Sequence, residues 1–228
     1  MKIVIIQPPF VQLNSPYPSG AYLSNFFKQN FGLSGSVKWL DLSIQLFDSI
    51  FSKKVLSKLF ELSEPNALQI ANKAEQNGDD FTAFNLRRYV STKNAWINYI
   101  DQIKSILNCK NSGREVSHKF IFSASAPRGN RMESFLANLK EEPTVDHARF
   151  LASLALADLA DYITFAFDKN FSLIRYAEAV STENKSFKKI TQELESPILN
   201  EFYIPLLQKI FLENNFIKNQ NEQTLFCI

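Results

Sequence analysis

Residues 2–7, KIVIIQ, form a continuous apolar run of mostly β-branched side chains, ended by Pro8 and Pro9. An apolar run that does not alternate suits a strand buried on both faces, as in a parallel sheet. From Ser19 and Gly20 the pattern turns helical, with Tyr22, Leu23, Phe26, Phe27 and Phe31 recurring and Gly32 and Gly35 as stop signals. Residues 36–43, SVKWLDLS, read as a second strand with Val37, Trp39 and Leu40 directed inward. Strand, helix and strand in this order make a βαβ unit.

After Asp41 the strand signal gives way to a long run of helical periodicity. Leu46, Ile50, Val55, Leu59 and Leu62 keep a period near 3.6, with Ser43 as the expected N-cap. Amphipathic helices continue through 66–78 and 79–110. Residues 111–132 are expected to be an irregular link with an extended core. The segment TVDHARFLASLALADLADYITFAFD, 144–168, is the clearest helix, capped by Thr144 or Asp146. Helical signals persist at 173–181, 186–196 and 200–216, where Pro205 bends or starts a helix. Leu225, Phe226, Cys227 and Ile228 begin a third buried strand. A chain that stops in such a run is expected to be the N-terminal part of a longer product.

Composition narrows the functions. Hydrophobic residues are 45% and the net charge is +2, so no basic field exists to hold nucleic acid. Cys109 and Cys227 are the two cysteines, far apart and without metal spacing, which suits a reducing compartment. The N-terminal apolar run is too short for a signal peptide and no stretch reaches a membrane span. A cytoplasmic protein without membrane or nucleic-acid partners is expected.

The loop after the first strand sits where open α/β sheets bind ligands. It lacks the glycines of GxGxxG and the GK[ST] of a P-loop, so a phosphate nest is not expected. Pro8, Pro9, Phe10, Tyr17 and Pro18, with Ser19 and Gly20, form either a wall for a large planar cofactor or a stiff linker on its own sheet. Asp41, closing the second strand, is either a ribose ligand or a helix-capping acid. His118 and His147 have no metal-ligating neighbours in sequence. Arg128 and Arg131 in APRGNR offer an anion clamp or a solvated loop; Arg87, Arg88, Glu141 and Glu142 read as solvated charges. Asp158 and Asp161 read as a surface face rather than an acid/base pair, and Arg175 with Glu178 as a helical ion pair.

The order of these features resembles the N-terminal region of cobalamin-binding-domain radical SAM proteins. That family opens with a strand, a PP dipeptide, a P-x-G turn into "aYL" and a strand ending in Asp. Pro8-Pro9, Pro18 to Gly20, Tyr22-Leu23 and Asp41 fall on those positions. The resemblance implies a partial flavodoxin-like, Rossmann-like α/β sheet of about three parallel strands, order 2-1-3. It would comprise 1–45 and 222–228, interrupted by an all-helical insertion at 46–221. It implies a noncatalytic accessory domain in which the loop buries part of a corrin. Ser19 and Asp41 would then hydrogen-bond the corrin's tail or side-chain amides. The D-x-H-x-x-G histidine that ligates cobalt in some members has no counterpart, that place reading QPPFVQLN. The partner implied is a C-terminal radical SAM domain, carrying a [4Fe-4S] cluster and S-adenosylmethionine and acting on an unknown substrate. These residues contain no CxxxCxxC. The alternative from another class is a helical module recognising a protein or substrate on a base that has lost cobalamin. A third reading makes the helices a cap that shields a radical site from solvent.

Overall fold

The computed structural model describes residues 2–7, 18–32, 37–108, 113–171, 173, 194–214 and 224–227. The elements run β1 (Lys2–Gln7), α1 (Ser19–Phe31), β2 (Val37–Asp41), α2 (Leu42–Ile50), α3 (Lys53–Gln76), α4 (Asp80–Ser91), α5 (Lys93–Leu107), α6 (Arg114–Phe122), α7 (Asn130–Asn138), α8 (Val145–Ala166), α9 (Ile204–Glu213) and β3 (Thr224–Cys227). They divide into two units, Met1–Ile50 with Leu173–Ile228, and Phe51–Ser172.

The first unit is built on a three-stranded parallel sheet of order β2-β1-β3, as expected. Ile5 stands opposite Trp39 on one side and Cys227 on the other, and Gln7 opposite Asp41. Partners in a parallel ladder share a face, so Ile3, Ile5, Gln7, Trp39 and Asp41 lie on one side and Val4, Ile6 and Leu40 on the other. The second face is covered by α9: Val4, Leu40, Leu42 and Ile210 form its buried core, with Leu206, Leu207 and Phe211 against it. Thus α9, although inside the 46–221 span, packs on the sheet. A π-turn at Leu199–Tyr203 leads into it, and Pro205 occupies its first turn, where a missing N–H is tolerated. In β3, Phe226 stacks on Phe211 at 5.5 Å, yet Leu225 and Phe226 both remain exposed. The third strand is therefore less buried than its apolar run predicts.

Helix α1 ends at Gly32 in the left-handed conformation, φ 61°, as its C-cap. It meets the sheet through its small residues. Gly20 and Ser24 are buried, whereas Tyr22, Leu23, Phe26 and Phe31 are exposed. The reason is the Trp39 indole, which lies so close to Gly20 that a Cβ there would overlap it. The aromatic positions that mark this helix in the sequence form its outward side, where Phe26, Phe27 and Phe31 pack on one another.

The second unit is helical. Ser52 caps α3, accepting from the Val55 N–H at 3.3 Å. This helix runs through Pro65 without breaking, because proline removes only the bond to the Glu61 carbonyl while Leu59, Phe60, Ala67 and Ala71 stay buried around it. Gly78, φ 76°, turns the chain into α4, which Asp79 caps through the Thr82 N–H. The core is a ladder of rings from four helices: Phe60 stacks on Tyr162 at 4.9 Å, Tyr162 packs on Tyr89 at 5.3 Å, and Tyr89 stacks on Trp96 at 5.7 Å. Ser63 and the Tyr162 hydroxyl share a buried hydrogen bond of 2.7 Å. Burying each such ring contributes on the order of 2–3 kcal/mol. Residues 114–122 form α6, not the extended stretch expected at 111–132. Thr144 caps α8 as expected, and His147 completes a capping box with it. The expected helices at 173–181 and 186–196 lie almost wholly outside the described residues, as does Ile228.

Candidate functional site

The carboxyl ends of β1 and β2 bring together the described residues of the predicted ligand edge. Gln7 closes β1 and Asp41 closes β2, opposite each other in register. Ser19, the first residue of α1, donates its hydroxyl to Gln7 Oε1 at 3.3 Å. Gly20 follows under Trp39, and Pro18 is exposed, its carbonyl accepting the Tyr22 N–H at 3.1 Å. Pro8, Pro9, Phe10 and Tyr17 lie outside the described residues.

Asp41 resolves one of its alternatives. Its Oδ1 accepts the Ile44 N–H at 3.1 Å, so it caps α2, which starts at the next residue. Ser43, the expected cap, is instead buried inside the first turn. Capping occupies one carboxylate oxygen and leaves the group at the sheet edge. Gln7 is the member of this site that sequence reasoning missed. A polar residue ending an apolar strand, one position before Pro8, was the available signal. It is 9% exposed, and among the described residues its Nε2 makes no hydrogen bond.

The second unit answers the other candidates. Asp158 is 1% exposed, not on a surface face. Its two oxygens accept the N–H groups of Arg131 at 3.0 Å and Met132 at 3.2 Å, so a residue of α8 caps α7, whose own cap position is Gly129. Burial pushes this carboxyl up to about 6, against the pull of those two N–H groups. Arg131 forks onto Asp161, with Nη2 at 2.8 Å, which answers the anion-clamp reading for that guanidinium. Arg128 is no solvated charge either. Its Nη2 donates to the carbonyls of Phe120, Ile121 and Ser123 and closes the C-terminus of α6. Burial lowers its affinity for the proton. Arg88, read as solvated, is largely buried: it pairs with Glu133 at 2.5 Å and donates to Asn130 at 2.6 Å. Arg87 is the exposed one, bound to Glu75. His118 packs on Phe122 at 5.3 Å, and His147 is spent on its cap. Arg175 and Glu178 lie outside the described residues.

A shallow cavity of about 530 Å³ opens between α7 and α8, lined by Asn130, Arg131, Phe135, Asn138, Phe150 and Leu154. Among the described residues no group of three His, Cys, Asp or Glu side chains could hold a metal, and no helix is long and apolar enough to cross a membrane. Cys227 is a free thiol. The described chain is thus mostly helical, with a small open sheet of three parallel strands, order 2-1-3. Comparison with protein-family models, with curated proteins and with solved structures finds no significant match.

Proposed function

We propose that the first unit is a noncatalytic, cobalamin-binding-type accessory module of a radical SAM protein, its ligand edge at the carboxyl ends of β1 and β2. The observation that carries the reading is the 2-1-3 order of the parallel sheet. In such a sheet the strand order reverses at β1, between β1 and β3, and ligands of open α/β folds bind at that crevice outside the carboxyl ends of the strands. A flavodoxin-like assignment is part of the same reading, and that order supports it. Gln7 and Ser19 stand on the β1 side of that crevice and Asp41 beyond it at the end of β2, and this polar set suits a large ligand with peripheral amides. It offers no imidazole for cobalt. A bound cobalamin would supply methyl-transfer or electron-transfer chemistry, and the chain's own residues would bind and orient it. The [4Fe-4S] cluster and S-adenosylmethionine belong, in this reading, to a C-terminal partner domain. Equilibrium dialysis with hydroxocobalamin tests it: retention at micromolar ligand supports the module, and no retention by the folded protein removes the cofactor.

The groove between α7 and α8 favours a second reading, in which the helical unit recognises a partner or substrate. Its volume is in the range of small-molecule sites, and edge-to-face Phe135 and Phe150, 5.1 Å apart, give it an apolar floor. Substituting Phe150 with Ala and finding unchanged recovery of partners would count against it.

A further inference from the structure

We infer that α1 and β3 form the interface of a symmetric dimer, in which the apolar flank of α1 in one copy lies over the open part of the sheet in the other. Helix α1 sits on the sheet face that carries Ile3, Ile5 and Trp39, and it packs on β1 and β2. Its small residues Gly20 and Ser24 are the ones held inward. At about 3.6 residues per turn, Leu23 and Phe27 then fall on one flank, with Tyr22 and Phe26 outward beside it. Asn25 and Lys28 fall on the opposite flank and are exposed. In a right-handed βαβ unit of this strand order, the Leu23 flank is the one turned toward β3. On that side β3 lies open. Leu225 shares the face with Ile3 and is 48% exposed, and Cys227, opposite Ile5, is half-buried. An apolar ridge thus stands next to an apolar slot.

Shape, charge and area favour a second copy as the occupant. A ridge and a slot on one surface are self-complementary about a two-fold axis, because each copy's ridge fills the other's slot. The one charged residue of α1 is Lys28, on the far flank, so a two-fold brings no like charges of this helix together. The same lack of basic residues gives an anionic lipid surface nothing to hold. Tyr22 is 74%, Phe31 60% and Phe26 51% exposed, so with Leu23 and Leu225 the face presents about 500 Å² of apolar surface, at roughly 200 Å² for a whole ring. Two copies together cover about 1,000 Å², which reaches the threshold of a specific interface. Phe26, Phe27 and Phe31 already brace one another at centroid distances of 5.9 to 6.0 Å, so little side-chain freedom is left to lose on association.

Sedimentation velocity of the whole chain across the micromolar range tests the inference. Wild type is expected to move as twice its 26.1 kDa mass. Phe26→Glu places a charge in the apolar face of both copies and is expected to weaken association roughly thirtyfold or more. Asn25→Glu adds the same charge to the opposite flank of the same helix and is expected to leave association unchanged. Near-ultraviolet circular dichroism verifies that both variants are folded. The position of the interface is read independently by replacing Tyr22 with the photo-cross-linker p-benzoylphenylalanine in a mixture of ¹⁴N and ¹⁵N chains. Mixed-isotope cross-links are expected from residue 22 to α1 or β3 of the other copy. A wild-type monomer throughout overturns the inference, whether the face then proves to hold lipid vesicles or a different protein. So does a dimer that Phe26→Glu weakens no more than Asn25→Glu, and so do mixed-isotope cross-links confined to other elements.

Discussion

Gly129 lies so close to the Asp158 carboxylate that one added Cβ would overlap its Oδ2. The glycine is the N-cap position of α7 and has no side chain to cap with, and the empty space lets an aspartate from α8 do it instead. Its backbone, φ −103°, suits alanine, so a substitution acts through the collision alone. Gly129→Ala is expected to destabilise the chain by about 2 kcal/mol, the usual scale of forced overpacking. A fall in the urea midpoint with an unchanged slope checks it.

Asp158 also sets a pH dependence with a definite sign. Burial raises its carboxyl from 3.8 to about 6, so the folded chain holds this proton more tightly than the unfolded chain does. Its contribution to stability is therefore fully present below pH 3.8 and is lost as the pH rises through about 6. The loss is on the order of 3 kcal/mol, since each pKa unit is about 1.4 kcal/mol. Asp158→Asn, which cannot titrate, is expected to flatten that part of the stability profile. Melts of both proteins from pH 4 to 7 check it, and parallel profiles would refute the assignment.

Local patterns made the frame of this fold legible and left its polar contacts hidden. The apolar run of β1, the Gly32 stop and the Thr144 cap depend on neighbours within a few residues, and each appears where the sequence puts it. Asp158 and Arg131 are 27 residues apart, so no spacing rule distinguishes that buried cap from a surface acid. Arg128 folds back on α6 for the same kind of reason: its partners are carbonyls, and carbonyls leave no trace in composition. At the sheet edge, Asp41 and Ser19 were readable from the strand and helix ends. Gln7 was not, because its meaning comes from register with Asp41, a tertiary fact.

The bond between Ser63 and Tyr162 is the polar point of the aromatic ladder. Ser63→Ala strands the Tyr162 hydroxyl in a dry core, where burial already holds it up at about 12, whereas Tyr162→Phe leaves the Ser63 hydroxyl only its long bond to the Phe60 carbonyl. Tyr162→Phe and Ser63→Ala are each expected to lose about 1–2 kcal/mol. The double variant is expected to lose less than their sum, because no orphan remains. Denaturation of the four proteins in one cycle gives the coupling; strict additivity would show that the bond contributes nothing.

Arg128 offers a contrast with an ordinary surface arginine. Its Nη2 alone holds three carbonyls at the end of α6, so Arg128→Lys, which keeps the charge but ends one bond short of that nitrogen, is not a conservative change. A loss of about 1–2 kcal/mol is expected, with amide exchange accelerating in α6 before α3. Arg87→Lys, at an exposed pair, is expected to change stability by less than about 0.5 kcal/mol.

Gly20 connects the packing of α1 to the sheet edge. An alanine Cβ there collides with the buried Nε1 edge of the Trp39 indole. Gly20→Ala is expected to displace that ring and to lose about 1–3 kcal/mol, the scale of forced overpacking. The helix must also shift, and Ser19, one residue earlier, moves with it, loosening its bond to Gln7. The two tryptophans separate these effects. In protein labelled with 5-fluorotryptophan, the ¹⁹F line of Trp39 is expected to move in Gly20→Ala, while that of Trp96, buried in the ring ladder, stays in place. An unmoved Trp39 line with lost stability would place the strain in α1 itself rather than in its contact with the sheet.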